Sequence, residues 1–533
     1  MDFKSLWIPL FIILVLYKFI LYPTLFSPLR RLPNAHYTSP FSNLWIKWQR
    51  FQGRENKATH AAHVKLGPIV RVGSTEISVN SPELVKQVYC EVLEKDEWYA
   101  RAFENYGYVL PNMFSMTKKE SHAMRKRVLA GLYSKTTLHA SPEIRDICRV
   151  VVMERLLPIF EKAAQMQRPV DVLEVSVSFS MDFICSYLFG ICNGPNFLQD
   201  VETRRKWLAS HAKTKRYGFW TLEFPNLTAL LAKFGIHLVP NVALTAALEV
   251  RELCLQLLRN VDSSSSAKTL LLPPKGPGDT PVVYQRLSQS LCASVQEEIY
   301  RELPPTRSHL AVASELMDHI KAGTETSGWT LVYLLYEMSR HREIQHLLRE
   351  ELSLLLEPGT SLCFSRESKT PQAAEILPSP RTLDTSPLLQ AVILETLRCY
   401  PAVAGPQPRV NHNTSFALAR HIHLPAGTRV SAQAYSLHRN SEVFPDPESW
   451  KPRRWLEATP SQHEEMMRWF WPFGSGSRMC IGNHFAILEL KLAVAAIYYN
   501  YITEIIDDDG IEPIDGYSHG PTGNKLILQF KRA

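Results

Sequence analysis

Paired cysteines are missing from this sequence. Nine cysteines are spread between Cys90 and Cys480, and none forms a C-x-x-C pair. An odd, scattered set excludes a disulfide framework and points to a reducing compartment. Blocks of like charge are missing too. The net charge is +7 and the pI about 8.8, with lysine and arginine scattered along the chain. That excludes nucleic acid as the favoured partner and suits a basic face for a membrane surface or an acidic redox protein. No glycine-rich flavin or dinucleotide fingerprint follows a strand-like run, so any such cofactor belongs to a separate protein. No internal repeat is present, which excludes a repeat architecture. What remains is a chain of 533 residues, 45% hydrophobic, ample for a large core.

The N-terminus is the one long apolar run. Ser5 to Phe26 reads SLWIPLFIILVLYKFILYPTLF, long enough to span a bilayer. Lys18 is its single charge and sits near one end, where it can snorkel. Trp7 and Tyr22 stand where interfacial aromatics belong, and Arg30 and Arg31 follow, placing the rest of the chain in the cytosol. A cleaved signal peptide would need a small-residue site after the run, and none follows. The expectation is an anchor over 1–26, then a linker over 27–59 stiffened by Pro23, Pro28, Pro33 and Pro40, then one body over 60–533. In a cytosolic body the glycosylation matches at Asn226 and Asn413 are chance.

The body reads as mainly α with small β-sheets. Pro68–Val72 and Glu76–Asn80 form two short strands around a Gly73-Ser-Thr turn, and Ser81-Pro-Glu-Leu starts a helix. Helical patterning dominates 140–345, broken by a Ser- and Pro-rich surface loop over 263–281. A polar insert covers 358–386. Short strands return over 405–435 and at Lys525–Phe530.

The segment Phe473-Gly-Ser-Gly476-Ser-Arg478-Met-Cys480-Ile-Gly482 is the most informative in the chain. It reads F-x-x-G-x-R-x-C-x-G, five fixed residue types in ten positions, which a chain this long shows by chance about once in ten thousand cases. The chemistry is a thiolate presented to a metal from a tight loop. Gly476 and Gly482 allow positive φ or close backbone approach. Arg478 reaches an anionic group beside the metal, and Phe473 walls one side of the sulfur. The segment resembles the haem-binding loop of the cytochrome P450 family. The resemblance implies that Cys480 is the proximal ligand of haem b, iron protoporphyrin IX.

Three further elements carry the same resemblance, in the family's order. The helix over 311–340 is apolar except at Ala322-Gly323-Thr324-Glu325-Thr326-Ser327. An acid and hydroxyls there are costly unless used. Gly323 leaves room for something against the backbone, and Thr326 can back-bond and open the helix locally. The segment resembles the family's oxygen-activation motif, with Glu325 where aspartate is common; by resemblance Thr326 and Glu325 deliver the protons. Glu395-Thr-Leu-Arg398 and Pro452-Arg-Arg454-Trp455 resemble its E-x-x-R and P-x-R-W elements, which implies a structural network of Glu395, Arg398 and Arg454. For the haem propionates the candidates are Arg478, Arg409, and His122 with Lys126, the last where arginine is usual. By the same analogy Phe103, Tyr106, Phe114, Val403, Ala404 and Pro521 line the substrate site, and 205–240, with Trp207, Phe219, Trp220 and Phe224, forms an access lid on the membrane interface.

The expected protein is a haem-thiolate monooxygenase of the cytochrome P450 fold, held in the endoplasmic reticulum membrane by one transmembrane helix and facing the cytosol. It would act on O2 and an apolar small molecule, of terpenoid, polyketide or alkaloid type by analogy with fungal enzymes of secondary metabolism. Electrons would come from NADPH-cytochrome P450 reductase, with cytochrome b5 as a further donor. The rivals are a haem-thiolate isomerase or dehydratase without a reductase, and a membrane-tethered haem sensor or electron carrier.

Overall fold

The computed structural model describes the chain except residues 1–2, 92, 104–109, 216, 265–275, 294–304, 356–377, 413–415 and 420–421. Tyr106, Asn413, Cys363, most of the 358–386 insert and part of the 263–281 loop lie outside the described residues.

Apolar patterning decides which helices are interior. Val172–Phe189 has no polar face, and nearly all of it is buried. The Asp171 side chain starts it by accepting from the Leu173 N–H, and Gly190, at φ 83°, ends it. It packs along the longest helix, Pro305–Arg340, which begins earlier than the expected 311. A Cβ on Gly328 would lie 2.9 Å from the Val177 backbone, and one on Gly323 only 2.8 Å from the Ile184 side chain. The room expected at Gly323 is therefore filled by Ile184. Thr326 does back-bond, its Oγ1 donating to the Ala322 carbonyl at 2.6 Å, but the helix runs unbroken and does not open there.

Strands frame the helical core. A five-stranded sheet runs in the order Ile69–Gly73, Glu76–Val79, Arg429–Ser431, Arg409–Val410, Glu94–Lys95, with Glu76–Val79 and Arg429–Ser431 parallel. A second sheet pairs the C-terminal strand Ile527–Arg532 with Tyr501–Asp507 and Val170–Asp171. Residues 27–59 hold more structure than a stiff linker. Helix Leu44–Phe51 buries Ile46, helix Glu55–Leu66 buries Asn56 and Thr59, and Leu29 and Leu32 join the core beside the first sheet. Before them, Pro9–Phe26 is helical, has mean hydropathy 1.9 and buries none of its residues, so it is long and apolar enough to cross a bilayer.

One buried charge network fixes the region behind the cysteine. Glu395 and Arg398, both fully buried, pair through two hydrogen bonds of 2.8 and 2.9 Å. Glu395 also accepts from Arg454 Nε, Trp455 Nε1 and the Lys451 N–H, each at 2.9 Å. Arg398 spends its remaining donors on the carbonyls of His438, Pro447 and Ser449. Burial alone would raise the Glu395 carboxyl, but Arg398 and Arg454 outweigh it and hold it below the usual range.

Glu395→Ala leaves Arg398 as an unpaired buried charge, so chemical denaturation should show a loss of about 3–5 kcal/mol. Because the Glu395 pKa is depressed, its contribution is complete above the ordinary carboxylate range and is lost as pH falls through the folded value. Below about pH 4 the stability gap between wild type and variant should therefore narrow.

Candidate functional site

The cysteine loop joins helix Pro460–Trp469 to helix Asn483–Asn500. The Cys480 N–H donates to the Phe473 carbonyl at 2.9 Å and closes the loop. Gly476, at φ 69°, passes so near the helical turn Gln87–Glu91 that a Cβ would lie 2.3 Å from the Tyr89 carbonyl oxygen. Gly482 differs from expectation. Its φ is −91°, it caps the following helix, and nothing stands within 4 Å of where a Cβ would be. The positive φ falls instead on Gly474, at 68°.

His438, which the sequence reading passed over, ties this loop to the charge network. Its Nδ1 donates to the Arg398 carbonyl at 3.0 Å, and its Nε2 accepts the Trp471 N–H at 2.7 Å. Making both at once needs the neutral ring, because a protonated Nε2 could not accept. Burial, then the Arg398 charge, lowers His438 to about 3.

The Cys480 thiol is surrounded by protein yet exposed, and Ala322, in the middle of an interior helix, is exposed as well. Open space inside the body accounts for both. The charge of Asp318, one turn before Ala322, bears on the Cys480 thiol, so helix and loop border the same region. Burial raises the thiol, while the Gly482 N–H and the Lys126 charge favour its thiolate.

Cations gather on the loop side. Arg478 donates to the carbonyls of Met116, Thr117 and Lys118 at 2.6–2.9 Å. Lys126 donates to Ser477 and Met479 carbonyls, both at 2.9 Å, so it holds the loop rather than facing solvent. Arg409 is buried over the Tyr89 ring and donates to the Tyr99 hydroxyl at 3.3 Å. Lys95 joins them unannounced by any motif. It is buried, it donates to the Phe114 carbonyl at 2.5 Å, and burial with the Arg409 and Arg478 charges pushes it well down. Burial, then Arg478, lowers His122 to about 3, and burial with Arg409 lowers Arg478 to about 10. Among the described residues none of Lys95, Lys126, Arg409 and Arg478 has a carboxylate within ion-pair distance. Buried cations that repel one another call for an anion. A thiolate donor beside them fits a metal macrocycle carrying two carboxylates.

On the helix side, Glu325 accepts or shares a hydrogen bond of 2.7 Å with His211 Nε2. His211 comes from helix Val201–Lys215 and stacks on Trp207. Nothing in the sequence marked it. Phe103 and Phe114 pack edge to face with centroids 4.6 Å apart, and Val403 is half-buried. Ala404, expected in the lining, is fully buried and offers no surface to a ligand, and Pro521 is likewise buried. In the lid region Trp207 is buried and Phe219, Trp220 and Phe224 half-buried. The exposed apolar residues there are Leu227, Leu230, Phe234 and Ile236.

The family profile described as cytochrome P450 matches residues 285–528. Among curated relatives, the cytochrome P450 monooxygenase avaI of Aspergillus versicolor is 27% identical over 80% of this chain and 94% of its own. The cytochrome P450 monooxygenase FGM1 of Gibberella zeae is 27% identical over 98% of this chain and 94% of its own. The tryptophan 6-hydroxylase fscE of Fusarium equiseti is 26% identical, over 91% and 88%.

His438→Phe keeps ring volume and removes both hydrogen bonds. Each should cost about 1 kcal/mol or more, with the stranded Trp471 N–H adding to the loss. The neutral ring also sets a pH dependence. In the unfolded chain the imidazole protonates near its ordinary value, about 6.5, and in the fold only near 3. Wild-type stability should fall progressively across that window as pH drops, and in the variant this component should vanish from the midpoint-against-pH curve.

Proposed function

The chain belongs to the cytochrome P450 family of monooxygenases, and from that premise we propose a membrane-anchored haem-thiolate enzyme that oxidises an apolar secondary-metabolite scaffold. One atom of O2 enters the substrate, by hydroxylation or epoxidation, and the other leaves as water. The observation that carries this reading is the accessible Cys480 thiol beside four buried or half-buried cations that, among the described residues, have no carboxylate within ion-pair distance, across open space from the Glu325–Thr326 helix.

The group proposed for the site is haem b, and when bound it supplies the redox chemistry that activates O2. Cys480 Sγ would hold the iron, with the Gly482 N–H favouring the thiolate. Arg478, Arg409, Lys126 and Lys95 would supply the positive charge for the propionates, with neutral His122 beside them. Phe473 shields one side of the sulfur. Thr326 and Glu325 handle protons. The Thr326 hydroxyl, now donating to the Ala322 carbonyl, can turn toward the open space, and the Glu325 carboxylate exchanges its proton through His211 Nε2.

Several surfaces suit the cellular setting. The Pro9–Phe26 helix anchors the chain in the endoplasmic reticulum membrane, with the body in the cytosol. Leu227, Leu230, Phe234 and Ile236, together with Leu44 and Trp48, give an apolar rim that rests on the bilayer. Lys118, Lys119 and Arg127 are exposed on or beside the helix that grips the cysteine loop. They suit an acidic donor such as NADPH-cytochrome P450 reductase or cytochrome b5. A terpenoid, polyketide or alkaloid substrate is in keeping with fungal relatives, one of which is named as a tryptophan hydroxylase.

Reduced under carbon monoxide, the purified protein should show the strongly red-shifted Soret band of a thiolate-ligated haem; its absence would sink the reading. Cys480→Ser should lose that band and turnover while the apoprotein's far-UV circular dichroism persists. Thr326→Ala should keep the band and divert electrons to peroxide, lowering product per NADPH by about tenfold or more. Unchanged product and peroxide would favour an isomerase instead.

A further inference from the structure

Among the largest fully buried side chains, two are arginines, Arg71 and Arg398. Arg398 has Glu395 as its partner. Arg71 makes no ion pair among the described residues, and burial is the one influence that moves it, down to about 10. It is therefore still a cation at pH 7, and a buried cation without a counter-ion has to be compensated in another way.

The compensation comes from backbone carbonyls. Arg71 Nε donates to Gly73 at 3.3 Å and Nη2 to Ser74 at 2.9 Å, both at the end of its own strand, Ile69–Gly73. Nη2 also donates to Pro40 at 3.2 Å, and Nη1 reaches Pro23 at 3.4 Å. Pro23 belongs to the last turns of the apolar N-terminal helix, which ends at Phe26. The final carbonyls of a helix lack partners along the chain. Here the Ser27 N–H is spent on Tyr22 at 2.7 Å, and Pro28 has no N–H to give to Pro23. Side chains complete the end instead. Arg71 takes the Pro23 carbonyl, and Arg30 Nη1 takes the Leu25 carbonyl at 2.8 Å. Cations are also favoured at this negative end of the helix dipole.

The main chain of Arg71 holds the segment that follows. Its N–H donates to the Pro33 carbonyl at 2.8 Å, and its carbonyl accepts from the Ala35 N–H at 3.0 Å. Leu29 and Leu32, between these contacts and the helix, are buried in the body. One strand residue thus gathers the helix end with its side chain and the linker with its backbone.

We propose that Arg71 is a positioning residue that couples the N-terminal helix to the body, so that the body meets a lipid bilayer in one fixed orientation. The inference rests on the proposed membrane anchoring. Without the guanidinium, the helix end is joined to the body only through residues 27–32 and Arg30, and the body is free to tilt about that short segment.

The test uses the haem-loaded full-length enzyme in lipid nanodiscs. Nitroxide-bearing unnatural residues replace Phe11 and Lys65, both exposed, so the native cysteines stay untouched. Pulsed electron–electron double resonance then reads the distance distribution between helix and body. The wild type should give one narrow peak. Insertion of Gly-Gly between Phe26 and Ser27 supplies the broad, uncoupled reference. Arg71→Met should broaden the peak toward that reference, by about twofold or more, and Arg71→Lys by less, because an ammonium keeps the charge but lacks the planar fork that spans several carbonyls. Far-UV circular dichroism checks that each variant is folded. A folded Arg71→Met with the wild-type width overturns the inference, and so does a wild type as broad as the insertion variant. If Arg71→Met does not fold, Arg71→Lys decides, and the wild-type width in that variant overturns the inference. A wild type that alkaline carbonate extracts from vesicles fails the anchoring itself; one that stays in the membrane with a broad distribution fails this inference alone.

Discussion

Glu395 and Arg398 lie fully buried one helical turn apart, and charges in that position are stable only when every donor and acceptor around them is used. Here they are. Arg454, Trp455 and Lys451 complete the carboxylate, and three backbone carbonyls complete the guanidinium. One of those carbonyls belongs to His438, whose own ring returns to the Arg398 carbonyl and reaches forward to Trp471. The position of the Cys480 loop is therefore inherited from a charge pair that never meets a ligand. The pair specifies geometry rather than adding much net stability, and its cost if broken is what makes the geometry unique.

Charge is sorted across the interior space. Lys95, Lys126, Arg409 and Arg478, none with a carboxylate within ion-pair distance among the described residues, sit on the loop side, while Glu315, Asp318 and Glu325 belong to the longest helix. Grouped like charges destabilise the empty fold and are tolerated where a ligand supplies the opposite sign. Glu315 is compensated within the protein by Arg125, and Glu325 meets His211. Asp318 makes no ion pair among the described residues but feels the charges of His319, Lys95 and Lys321. The same helix thus holds carboxylates used for structure, Glu315 and Glu337, and one, Glu325, tied to the helix Val201–Lys215.

Much of this was legible in the chain. The cysteine loop, the acid-alcohol segment and the E-x-x-R and P-x-R-W elements lie on contiguous residues, so their spacing alone identifies them. The main helices and several strands follow from periodicity, because burial of one face leaves its mark on residue order. Illegible were the partners that meet only in three dimensions. His438, His211 and Lys95 have no local signature, and each matters because a distant segment arrives beside it. Gly323 shows the same limit: a glycine in a helix announces a close approach, but not that Ile184 makes it.

By itself, the sequence determined the residue types able to do the chemistry and the order in which they occur, since a thiolate loop, a helical acid beside a hydroxyl and a buried Glu–Arg pair are each set by covalent neighbours. The apolar run near the N-terminus was determined in the same way, by composition and length. Only the tertiary structure decided which charges are left unmatched. Compensation depends on what packs within a few ångströms, and that is settled by the meeting of helices, strands and loops far apart in the chain. Lys126 became a clamp on the loop and Ala404 became core for that reason.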